Sequence, residues 1–367
     1  MNDRVAVVGR DYGVMSRYSA LLLAVLCATA AAGVFSTLAA QARGSSSGNW
    51  EVPRTPDGHP DLQGSWTNVT LTPFERPEGL GPVYTREEAE ELERPDGDCP
   101  ASPGTVACGR PIREGSSAEA RLAGQEYSEI YWDRGSRIAI VDGQYVTSLV
   151  TNPTNGRRPP LTPEGEQRMK EYQEFRGQFV QYDHPELRPL GERCIVSFGS
   201  SAGPPMIPNT AYNNNYIIVQ TADYVIIKAE MVHDVRIIRL GEPDPLPADV
   251  RPWFGDSWGR WEGDVLVVET TNINPRQTFQ GMLPTEHLKV TERFRRVDED
   301  TFLYDFTIDD PTTYTQLWEG TIPYERFNDN LYEYACHEGN YSLMSVLSGA
   351  RYQERMRAEE SSGARRD

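Results

Sequence analysis

Hydrophobic and polar residues alternate through most of the second half of the chain. From about residue 192 the sequence contains "NNYIIVQTADYVIIKAEMVHDVRIIRL", "GRWEGDVLVVETTNI", "HLKVTERFRRV", "DTFLYDFTID", "YTQLWEGTIPYE" and "NLYEYACHE". These runs are rich in Val, Ile, Tyr and Phe, and polar residues recur at every second position, as on strands with one buried face. Turn residues separate them, with Ala222-Asp223 and Gly263-Asp264 as the tight connections. Strand geometry would put Met231, His233, Val235 and Ile237 on one face, with Glu230, Val232, Asp234 and Arg236 opposite. Likewise Glu333, Ala335 and His337 would share a face, with Tyr334, Cys336 and Glu338 on the other. The pattern predicts a mainly β fold, an antiparallel meander that closes into a barrel or folds into a sandwich to lose its edges.

Helical signals lie at the periphery. Thr85 stands three residues before Glu88, a capping box for a short helix. Thr162 followed by Pro163 opens a second helix that runs to Gly177. Leu343, Val346, Leu347 and Ala350 share one face of a predicted C-terminal helix, with Asn340 as its cap. Asp142-Gly143 marks a hairpin between two apolar runs. The expected organisation is therefore a mixed region over 61–190 that packs on a β body over 191–352, which includes the last helix. A frayed tail over 353–367 follows. Residues 43–60, "RGSSSGNWEVPRTPDGHP", read as a flexible linker.

Composition adds a compartment to this picture. The 367 residues are 38% hydrophobic and 25% charged, the balance of a globular chain. A net charge of −18 argues against a nucleic-acid partner, which needs a basic face. After Arg17 comes "YSALLLAVLCATAAAGVFSTLAAQA", an apolar core ending in small residues, with Ala40 and Ala42 spaced as an A-x-A cleavage site. Residues 1–42 are thus expected to be a signal peptide, and the mature chain to be exported, periplasmic or secreted, without a membrane span; an uncleaved anchor is the alternative. Beyond the leader remain Cys99, Cys108, Cys194 and Cys336. An even number in an exported chain favours disulfides. Cys99 and Cys108 most simply close the loop between them, which leaves Cys194 with Cys336, a link of about 4 kcal/mol on the loop-entropy account.

The runs "PDLQGSWTN", "YNNNYIIVQT", "EMVHDVRII", "GRWEGDVLVVETTN" and "YEYACHEGNYSL" resemble a large family of exported, β-rich bacterial proteins over most of residues 60 to 352. Members mostly carry no assigned activity, so the resemblance implies no reaction. At the level of fold, the G-x-W of Gly64 and Trp66 and the W-E-G-D turn from Trp261 to Asp264 are similar to lipocalin-type barrels. A fold does not carry a function with it.

Candidate chemistry centres on histidine. The chain has five, at 59, 184, 233, 287 and 337. His233, His287 and His337 lie in or beside the β region, each with an acidic neighbour: Asp234, Glu286 and Glu338. His59 and His184 adjoin prolines in loops and are expected to be solvated. A histidine held by a carboxylate suits general acid–base work near neutral pH. His233, Asp234, Arg236, His337 and Glu338 are therefore the candidate catalytic set. A divalent metal held by His233, His337 and a carboxylate is the minor alternative; no other cofactor is expected. Asn214, Tyr216, Trp261 and Trp318 are candidates for lining a ligand site. Arg236, Glu269, Glu292, Asp305 and Glu319 interrupt apolar runs, and any of them that is buried requires a partner. Two short patterns fail on context. Gly199 to Gly203 matches a nucleophile elbow around Ser201, but Pro204 and Pro205 follow and the surrounding meander is not a hydrolase fold. Glu230 and His233 have a carboxylate-bundle spacing that works only on a helix. The function expected is an exported hydrolase-, lyase- or isomerase-type enzyme acting on a small organic molecule in a barrel cavity. The alternatives are a lipocalin-like carrier of a hydrophobic small molecule and, third, an envelope interaction module.

Overall fold

The structure, a computed structural model, describes residues 50–94, 135–198, 202–208, 213–278 and 283–363. The predicted signal peptide, the Cys99–Cys108 loop and Ser201 lie outside the described residues. Val52–Asp367 form one compact unit.

Thirteen strands are described: β1 (Gly64–Thr67), β2 (Val83–Tyr84), β3 (Ile140–Val141), β4 (Gln144–Val146), β5 (Val150–Asn152), β6 (Asn215–Gln220), β7 (Tyr224–Ala229), β8 (Val235–Leu240), β9 (Asp256–Glu262), β10 (Val265–Thr271), β11 (Lys289–Arg296), β12 (Thr301–Asp309) and β13 (Trp318–Arg326). The helices are α1 (Arg86–Leu92), α2 (Pro163–Gly177) and α3 (Ser342–Gly363). Strands β6 to β13 pair in sequence order, and β1 pairs with both β6 and β13, so nine strands form a closed barrel. All neighbours are antiparallel except β8 and β9, which run parallel. β5 adds to the wall beside β13, and β2, β4 and β3 form a separate small sheet. The fold is thus mainly β, and of barrel and sandwich it is the barrel. The boundary near residue 191 falls between β5 and β6, but β1 reaches across it to close the ring.

Local signals act as their chemistry requires. The Thr85 and Glu88 side chains cap α1 reciprocally, and Thr162 caps α2 ahead of Pro163. Asp142 and Gly143 take positive φ in the β3–β4 hairpin. The predicted final helix is α3, but the Asn340 side chain caps it differently from expectation: it donates to Glu192 O at 3.3 Å and accepts from Ser342 Oγ at 2.7 Å.

Three sequence expectations are corrected. The described residues between 192 and 213 form no strand; their buried part, Ala202 to Ile207, enters the barrel as a plug. Its Pro-Pro pair cannot supply ladder donors. Gly203 sits at φ 78°, where an added Cβ would lie 2.9 Å from Met206 N, so the turn into the barrel needs glycine. "EMVHD" is not strand either: Met231–His233 form a short 3-10 turn between β7 and β8. Finally, "NLYEYACHE" forms no strand. β1 already occupies the edge of β13, which leaves no open ladder there for another strand.

The barrel is filled rather than hollow. Trp66, Tyr216, Phe294, Phe302, Tyr304, Phe306, Trp318 and Tyr324 are all essentially inaccessible. At one end Trp66 is packed beneath the Arg326 guanidinium, 3.9 Å from its ring, with Arg296 at 5.2 Å. Its indole N–H donates to Leu62 O at 2.8 Å. At the other end the 202–207 plug meets the strands from inside: Met206 N donates to Tyr304 Oη at 2.9 Å and Tyr324 Oη to Met206 O at 3.3 Å.

Candidate functional site

The plugged end gathers the β7–β8 turn, the start of β9, the loop before β11 and the loop after β12. In the turn, Val232 and His233 both have φ 57°. A left-handed valine is a rare, costly state for a β-branched side chain. It buries Met231 and Val232 and turns His233 to the surface. His337 reaches the same place from the loop after β13, where Cys336 is bonded to Cys194. The two imidazoles lie 6.0 Å apart, centroid to centroid, with planes inclined by 41°. Both rings are exposed.

The rest of the candidate catalytic set points elsewhere. Asp234 is buried and accepts from Ser197 N at 3.1 Å, which anchors the turn. Glu230 is also buried and accepts from Asn215 Nδ2 at 2.8 Å. Glu338 is exposed beside His337. Arg236 lies inside the barrel, where its Nη1 donates to Glu292 Oε1 at 2.9 Å and its Nη2 to Glu292 Oε2. Ser257, Thr270 and the carbonyl of Ala202 take its remaining bonds, and Tyr304 donates to Glu292 at 2.7 Å. Burial, the largest single influence, pulls the Arg236 guanidinium down, but the Glu292 charge and hydrogen bonds, with Tyr304 and Tyr324, together outweigh it, so the pKa is raised and the group stays charged. Burial, followed by the Glu292 charge, pushes the Tyr304 phenol well above its ordinary range. The residues that sequence singled out as needing partners thus include one real pair, Arg236 with Glu292. Glu269 and Glu319, by contrast, sit on the half-exposed outer wall.

The candidate ligand residues do not converge. Asn214 is buried beside β1, where its carbonyl accepts from Thr67 Oγ1 and Asn68 N. Tyr216 and Trp318 are core, and Trp261 stacks on His59 with centroids 4.9 Å apart. His59 is therefore packed, where sequence expected a solvated residue. His287 pairs loosely with Glu286 at 3.6 Å on the surface. Among the described residues no three His, Cys, Asp or Glu side chains come together as metal donors. The two imidazoles thus have no third protein donor beside them there.

A crevice opens at the plugged end. It is walled by Pro204 and Pro205 of the plug, by Leu283, Pro284 and Leu288 before β11, and by Ile308. Gln277 and Asp310 are its polar residues. Counted to its open mouth it holds about 390 Å³ of empty space, little of it enclosed. Sequence gave no signal for Gln277, a loop residue outside any pattern.

No protein-family model matches the chain, and no curated protein matches it. Among solved structures, a single-site mutant of the fluorescent protein UnaG is similar over 31% of this chain and 72% of its own, at 18% identity and a TM-score of 0.21. The barrel assignment rests on the strand pairing. No helix among the described residues is long and apolar enough to cross a membrane.

Proposed function

We propose that this protein is an exported enzyme that moves protons on a small organic molecule, with His233 and His337 as the acid–base pair. The observation that supports the reading is the meeting of two of the five histidines at 6.0 Å, each on a rigid support. One support is a turn in a costly backbone conformation, the other a disulfide. Strained backbone of this kind concentrates at functional sites, because only a surrounding structure that over-determines it keeps it. Export is supported by the leader pattern and by a disulfide of the kind that persists in oxidising compartments.

Two exposed imidazoles at this separation can act on one bound molecule, one taking a proton while the other gives one. That suits ester or lactone hydrolysis, elimination and isomerisation, none of which needs an organic cofactor. Asp234 contributes by fixing the turn. Arg236 takes no part, since it is sealed in the barrel with Glu292.

The test is a screen of the mature chain against small esters, lactones and carbonyl compounds with exchangeable α-protons, across pH 5 to 9. Any activity found should fall by a hundredfold or more in both His233→Ala and His337→Ala, the scale of a lost acid–base group. An activity that survives either substitution would sink the pair as the catalytic centre.

A further inference from the structure

The crevice at the plugged end contains a polar group with nothing to bond. Gln277 is 7% exposed. Its Nε2 donates to Gly203 O at 3.5 Å, while its buried Oε1 has no hydrogen-bond partner among the described residues. A buried acceptor left unbonded is costly, and in native proteins each such group calls for an explanation. Asp310, the other polar residue of the crevice, is already occupied: its carboxylate accepts from Thr312 Oγ1 at 2.8 Å, from Thr313 Oγ1 at 2.6 Å and from both backbone N–H groups. Its charge disfavours an anion beside it. The remaining walls are apolar, and Pro204, Pro205 and Pro284 contribute pyrrolidine rings, whose apolar faces pack on aromatic rings.

We propose that this crevice is a binding site for a small, uncharged aromatic molecule that donates one O–H or N–H to Gln277 Oε1. Apolar walls with a single converging polar group are the usual make-up of small-molecule sites. Because little of the space is enclosed, the occupant is one ring, or the ring end of a longer molecule. Neither histidine lines the site, which goes beyond the acid–base reading.

The test titrates the full mature chain with phenol and with anisole, which share a ring but differ in the donor, and follows saturable binding by calorimetry. Phenol should bind at least tenfold more tightly than anisole. Gln277→Met should erase that preference. Leu283→Trp, which fills the crevice from a half-exposed position, should abolish binding of both and controls for any misfolding of the Gln277 variant. Equal affinity for the two probes would overturn the proposal. So would a preference that survives Gln277→Met, phenol binding that survives Leu283→Trp, or no saturable phenol binding up to its solubility.

Discussion

Arg236 and Glu292 meet inside the barrel wall, whereas His233 and His337 meet outside it, and the two pairs are held by opposite means. The inner pair is fixed by burial: both side chains are almost wholly inaccessible, and Ser257, Thr270 and Tyr304 complete their bonding. The outer pair is exposed and is fixed by the chain itself, through a left-handed turn at one histidine and a covalent link at the other. In the first case removing a partner strands a charge in a medium that cannot solvate it. In the second, removal costs the fold little, because both rings already face water.

The contrast can be broken at several points. The largest effect is expected inside. Glu292→Gln leaves Arg236 charged and unpaired and should cost about 3–5 kcal/mol in denaturant unfolding, while the joint replacement Arg236→Met, Glu292→Leu should recover most of it. If Glu292→Gln alone is neutral, water reaches the pair and the barrel is not sealed. Next comes the link: Cys194→Ala with Cys336→Ala should lose about 2–4 kcal/mol. In the same variant the His337 ring protons should lose the ring-current shift that His233 imposes, as read by NMR. A shift that persists would show that the loop holds its place without the disulfide.

A smaller effect belongs to the outer wall. Burial pushes the Asp305 carboxyl above its ordinary range, against the opposing bond from Thr321. A carboxyl whose folded pKa is raised binds its proton more tightly in the native state, so it costs stability at neutral pH and recovers it as pH falls through the folded value. Asp305→Asn should therefore be more stable than the wild type at pH 7 and lose that advantage in mild acid. Thermal melts at the two pH values decide it. Smallest is His233→Ala, which should change stability by no more than about 0.5 kcal/mol, as exposed substitutions do, yet move the His337 ring signals.

How much of this was legible in the sequence follows the range of each interaction. The hairpins at Asp142, Ala222 and Gly263 and the caps at Thr85 and Thr162 depend on residues a few positions apart, and pattern finds them. The Cys194–Cys336 link was reached by counting. Arg236 and Glu292 were visible as polar intrusions into apolar runs, but not as partners, because no spacing ties strands that meet only when the ring closes. The β7–β8 turn was missed because "EMVHD" has no Gly, Pro or Asn, and its left-handed Val232 defies local preference. Proximity of His233 and His337 depended on that turn and on the loop after β13, so it too was hidden. The burial of the plug at 202–207 was not legible, because prolines give no periodicity.

Nine is an odd number, and up-and-down strands cannot alternate all the way round an odd ring. One neighbouring pair must run the same way, and the chain between its strands must travel the length of the barrel, as residues 241–255 do between β8 and β9. That seam is thinly stitched by backbone, with two register pairs, Arg239 with Trp258 and Leu240 with Gly259. Side chains supply the missing stitches from both sides. Outside, Arg239 Nη2 donates to Asp256 Oδ1 at 2.5 Å. Inside, Arg236 Nε donates to Ser257 Oγ at 3.0 Å while its far end grips Glu292 across the lumen. The buried arginine is thereby a clasp on the one join that parity forces to run parallel.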